Sequence, residues 1–219
     1  MELANVVLAR TIGLFETALL NPRGALSRQK FVSLLRERFS FMEVPTKLED
    51  FDKGITFKGG YFEEQGIDQL IVFADGIQID LRSSTENGQT IITDSLEWMK
   101  EEVGLAYTPG MIPRWAFLSQ LVVRSDCSMD AIHPAFCCLS EKLGALVNER
   151  TNEHFKYRLS GLTFDFPRLT GDYPIAPFVI EHRVKTPDSE KLYYSQAPLQ
   201  TKQHLEILQE FESNLSSSL

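Results

Sequence analysis

The stretch Gln69-Leu70-Ile71-Val72-Phe73-Ala74-Asp75-Gly76-Ile77-Gln78-Ile79-Asp80-Leu81 decides the fold class. Asp-Gly between two apolar or alternating runs is the strongest short-range hairpin signal, because a type I′ turn needs positive φ at both central residues. Ile77, Ile79 and Leu81 fall on one face and Gln78 and Asp80 on the other, which is the period of a strand. Upstream, Ile55-Thr56-Phe57 and Tyr61-Phe62 read as further strands, punctuated by Gly59-Gly60 and Gly66. Ser27 is placed to cap a helix carrying Phe31, Leu34, Leu35 and Phe39, and Pro45 stops anything helical beyond Phe41. The first apolar segment, Val6 to Leu20, reads as a strand around Thr11-Ile12-Gly13-Leu14-Phe15. Asn21-Pro22-Arg23-Gly24 then makes a sharp turn.

Downstream, Ile91, Leu96, Met99 and Val103 predict a helix from about Thr90 to Val103, and Tyr107 to Pro113 is a Pro/Gly-rich connection. Trp115 to Val123 reads as a strand, with Trp115, like Trp98, assigned to the core. A long helix begins near Asp130. Its stripe of Ile132, Phe136, Leu139, Leu143 and Leu146 makes it the clearest amphipathic helix of the chain and predicts a buried face. Three short β-like runs follow, Lys156 to Phe166, Ala176 to Val184 and Leu192 to Tyr194, separated by prolines. A last helix starts at about Thr201 with Leu205, Leu208, Phe211 and Leu215 on one face, and Ser216 to Ser218 reads as its frayed end. Strands that come in hairpin-connected groups predict an α+β fold, a mostly antiparallel sheet with helices packed on one face. The expectation is a single domain over 1–219, with two intimate halves meeting near 105–113 as a variant.

Composition excludes several function classes. The chain has 219 residues, and 22 Lys+Arg against 30 Asp+Glu give a net charge of −8. With 43% hydrophobic and 24% charged residues it has the make-up of an ordinary globular protein, not of a disordered or disulfide-dense one. A sequence pI near 5.1 repels phosphate backbones, so nucleic acid is not the expected partner. The basic run with Arg28, Lys30, Arg36 and Arg38 alternates with apolar residues and reads as the wet face of a helix. Arg10 and Glu16 interrupt the N-terminal apolar run, Met1-Glu2-Leu3 lacks a basic leader, and three cysteines are an odd count. The expected setting is therefore the cytoplasm, without a membrane span.

Phosphate-loop and nucleophile-elbow motifs are absent. Cys127, His133, Cys137 and Cys138 fall close together, but small buried cysteines beside a helix stripe read as packing. Of the four histidines, His204 is expected to be exposed, and no pairing with Ser or Cys stands out. One pattern, Phe164-Asp165-Phe166 followed by Glu181-His182-Arg183-Val184-Lys185, resembles metal-dependent nucleases of the PD-(D/E)xK type. That resemblance implies Asp165 and Glu181 as Mg²⁺ ligands, with Arg183 or Lys185 on phosphate and a third acid such as Glu63 or Asp80 nearby. Arg183 in place of Lys cannot serve as a base, and the neutral alternative is a cross-strand ion pair. Tyr193 and Tyr194, before Pro198, are candidates for an aromatic partner-binding patch. The leading expectation is a non-catalytic interaction protein, an accessory subunit or regulator that binds another protein and needs no cofactor. The alternative is a Mg-dependent hydrolase built on Asp165 and Glu181.

Overall fold

The computed structural model describes residues 1–24, 26–45, 54–151, 154–165, 175–184, 186–187 and 190–217, with backbone alone at 130 and 131. Among the described residues four α-helices accompany an antiparallel sheet. The strands are β1 (Glu2–Leu14), β2 (Ile55–Phe62), β3 (Gln65–Phe73), β4 (Gly76–Leu81), β5 (Arg114–Arg124), β6 (Gly161–Phe164), β7 (Phe178–His182) and β8 (Leu192–Ala197). The helices are α1 (Arg28–Phe39), α2 (Thr85–Val103), α3 (Pro134–Thr151) and α4 (Thr201–Ser217). The strands follow one another in the hydrogen-bonded order β2-β3-β4-β1-β5-β8-β7-β6. The chain divides into two compact units, Val6–Gln120 with Pro198–Lys202, and Met1–Asn5 with Leu121–Ala197 and Gln203–Leu219. Residues 105–113 lie inside the first of these, and the dividing points fall within β1, within β5, just after β8 and within α4.

In the unit built on Val6–Gln120, β3 and β4 form the expected hairpin, but its turn is not the expected one. Phe73 pairs with Gly76, so the loop residues are Ala74 and Asp75. Neither has positive φ, which excludes type I′. Gly76 is needed for a different reason: a Cβ there would lie 2.5 Å from the Gly13 carbonyl oxygen, where β1 runs beside β4. Every residue of β4 is buried, including Gln78 and Asp80. Arg10 on β1 makes this possible, donating Nε and Nη2 to the two Asp80 oxygens at 2.8 Å each, a bidentate pair that replaces lost water.

Ser27 caps α1, its side chain accepting from the Lys30 N–H at 3.3 Å, and the helix ends on Ser40 in the left-handed region. Of the expected stripe Leu35 and Phe39 are buried and Phe31 and Leu34 half-buried, with Val32 buried beside them, while Arg28, Lys30, Arg36 and Arg38 face water as expected. Phe39, Phe41, Phe57 and Phe62 form an aromatic cluster with centroids 5.1–5.9 Å apart.

The second helix starts at Thr85, five residues ahead of the expected start. Asn87-Gly88 reads as a turn by propensity, but Ser84 caps the helix by accepting from the Asn87 N–H at 3.1 Å. Gly88 lets it press on the sheet, since a Cβ would meet Thr11 Oγ1 at 2.7 Å. Residues 198–202 join this unit through reciprocal capping. Thr201 N–H donates to Thr85 Oγ1 at 2.8 Å and Thr85 N–H to Thr201 Oγ1 at 3.1 Å.

The other unit carries β6, β7 and β8 as an antiparallel ribbon, with Ile180, Leu192, Tyr193 and Ala197 in its core together with Leu208 and Leu215 of α4. Three expectations fail here. On α4 the buried positions are Thr201, His204, Leu208 and Leu215, so His204 has 0% exposure. It lies four residues before Leu208, on the same helical stripe. The helix also runs through Ser216 and Ser217, whose hydroxyls bond back to the carbonyls of Glu212 and Ser213. On α3 the only buried residue is Gly144, so the stripe expected to be buried is not.

Candidate functional site

The antiparallel register of β6 and β7 fixes where the nuclease-like residues stand. Gly161 pairs with Glu181 and Phe164 with Phe178. Asp165 follows the last residue of β6, at the far end of the ribbon from Glu181. Four residues at ~3.3 Å each anchor the two carboxylates about 13 Å apart, whereas Mg²⁺ ligands must converge at ~2.1 Å from one ion. The strands are consecutive, as the sequence implies, but the register separates the acids. Arg183 lies exposed just past β7, its N–H donating to the Leu192 carbonyl at 3.0 Å. Lys185 lies outside the described residues. Asp80 is committed to Arg10. Among the described residues no group of three or more His, Cys, Asp or Glu could hold a metal ion.

Tyr193 and Tyr194 do not form a surface patch. Tyr193 is 1% exposed, stacks beside His182 with centroids 4.6 Å apart and donates its hydroxyl to the Cys127 carbonyl at 3.4 Å. Tyr194, on the opposite face of β8, is half-buried, and burial with the nearby Glu181 charge raises its pKa. Strand alternation separates the two rings, which adjacency in sequence hides. His133 accepts from the Ala135 N–H at 3.1 Å through Nδ1, and so closes the first turn of α3. No disulfide joins Cys127, Cys137 or Cys138.

One pairing was not legible in the sequence. Ser195 Oγ and His204 Nε2 lie 2.8 Å apart, both at 0% exposure. Ser195 Oγ also lies 2.8 Å from the Val179 carbonyl oxygen, which ties its side chain to β7. Burial lowers the His204 pKa to about 4, and the Phe178 ring packs edge-on at 5.8 Å. The dyad is a neutral pin between β8 and α4.

What remains is an apolar surface. Phe136, Leu139, Leu143 and Leu146 are 37–56% exposed, spaced by three and four along ~15 Å of α3. Within the same unit Phe155, Tyr157, Phe164, Ile175 and Val184 are exposed as well. The helix is tied to the following segment through Asn148, which donates to the Phe155 carbonyl at 3.2 Å and accepts from the Phe155 N–H at 2.6 Å. Among the described residues strand β6, with Phe164 on it, ends the strand order. Among the described residues no helix is long and apolar enough to cross a membrane. No protein-family model matches the chain, and the curated proteins compared with it include no match.

Proposed function

We propose that this chain is a non-catalytic interaction protein, an accessory subunit or regulator that binds another protein through the apolar face of α3. The observation that carries this reading is the stripe Phe136, Leu139, Leu143 and Leu146, displayed to water on a helix whose one buried residue is glycine. Apolar residues at helical spacing are how helix-in-groove partners dock. The charges beside the stripe, Glu141, Lys142, Glu149 and Arg150, cancel, so they select neither phosphate nor an anionic membrane. The absence of disulfides among three cysteines suits a reducing cytosol.

The test is affinity purification of the tagged full chain beside its Leu139→Glu/Leu143→Glu variant. A stoichiometric protein should be retained by the parent and lost from the variant, with Kd raised about 100-fold, or ~3 kcal/mol. Equal recovery by both would end the assignment to α3.

A further inference from the structure

We propose that the unit built on Val6–Gln120 holds a second, independent site, a cleft for an uncharged and mainly hydrocarbon or aromatic small molecule. Helices α1 and α2 and strands β2 to β4 enclose about 890 Å³, within the range of small-molecule sites. Leu35 of α1, Leu96 and Met99 of α2, and Leu70, Val72 and Ile77 of the sheet form its wall. The uncharged polar side chains in the lining bond to the chain itself. Ser95 donates its hydroxyl to the Ile91 carbonyl, and Thr17 bonds the carbonyls of Phe73 and Ala74 at 2.7 and 3.0 Å. Asn21 donates to the Leu26 carbonyl at 2.8 Å and accepts from its N–H at 3.3 Å. A molecule entering the cleft therefore meets mainly methyl, methylene and ring surface, and gains chiefly by leaving water. Three charges stand in the lining, Glu16, Asp75 and Arg28, with net charge −1. That balance disfavours a carboxylate or phosphate head, so the ligand class is a neutral lipophile rather than a fatty acid or phospholipid.

The probe is N-phenyl-1-naphthylamine, uncharged at neutral pH, titrated into the full chain and followed by its emission. A saturable one-to-one rise with Kd on the order of 1–10 µM is expected. Leu26→Trp, in the connection before α1, and Val72→Phe, within the wall, should each weaken binding about tenfold or more with far-UV circular dichroism unchanged. The Leu139→Glu/Leu143→Glu variant should bind the dye as the parent does, which separates this site from the α3 surface. In the parent chain, backbone amide shifts on dye addition should fall at Leu20, Leu96 and Leu105, a readout that needs no variant. No saturable rise would overturn the proposal, as would a rise abolished by the α3 changes, or amide shifts confined to 134–151.

Discussion

His204 shows how a residue's meaning depends on which turn of a helix carries it. Its place four residues before Leu208 was legible, but polar character argued against burial, and the partner that makes burial tolerable, Ser195, lies on a strand. The sign of its pH effect follows from the lowered pKa. Above pH 6.5 the ring is neutral in both folded and unfolded chains. As pH falls towards 4 the unfolded chain binds a proton that the folded chain refuses, so stability drops. Urea unfolding at pH 5 should give about 2 kcal/mol less stability than at pH 7.5, and His204→Leu should flatten that window. Glu212 acts at lower pH. Its carboxylate accepts from Ser125 at 2.6 Å and the Asp126 N–H at 2.9 Å, and from the Met1 α-ammonium. These contacts outweigh burial and hold its pKa below the usual range, so its contribution is lost only as pH falls further. Gly76 makes the complementary point about close approach. Gly76→Ala should cost about 2 kcal/mol by pushing a methyl into the Gly13 carbonyl, a fall of about 6 °C in Tm. A hairpin was readable from Asp75-Gly76, but a glycine reserved for a neighbouring strand cannot be told from a turn glycine without knowing that β1 lies there.

Among the elements, the hairpin strands and the capped α1 were readable because their signals are local: alternation, Ser27, and Leu35 and Phe39 at helical spacing. The start of α2 was missed because Gly88 lowers propensity for the sake of a tertiary contact. Periodicity identified α3 correctly as amphipathic, but an apolar stripe states only that something covers it, not that the same chain does. For the same reason the Asp165/Glu181 spacing was uninformative until strand register placed the two acids at opposite ends of a ribbon. A helix with one buried residue draws little stability from tertiary packing. Its amides should therefore exchange with deuterium faster than those of α2, by at least tenfold, and gain protection when the partner binds. Leu139→Glu/Leu143→Glu should leave Tm within about 1 °C of the parent, since no core contact is removed.

The α+β class of the whole molecule was legible, because runs of hairpin-connected strands leave few other solutions. Its division was not, since neither compact unit is a continuous piece of chain: one needs Pro198–Lys202, and the other needs Met1–Asn5 and Gln203–Leu219. No composition shift or linker marks such an interleaved boundary. Fragments 1–120 and 121–219 expressed separately should each give poorly dispersed NMR spectra, while co-expression should restore a dispersed one; a well-dispersed spectrum from either alone would contradict the interleaving. The same threading has a bearing on synthesis. A nascent chain emerges from its N-terminus, yet the unit containing residues 6–120 lacks its closing threonine clasp until Thr201 has been made, and the other unit lacks α4 until later still. Met1 and Glu212 stand 211 residues apart in sequence and meet through the Met1 α-ammonium. Each unit therefore closes only through contacts of very large sequence separation, the kind whose loop-closure cost slows folding.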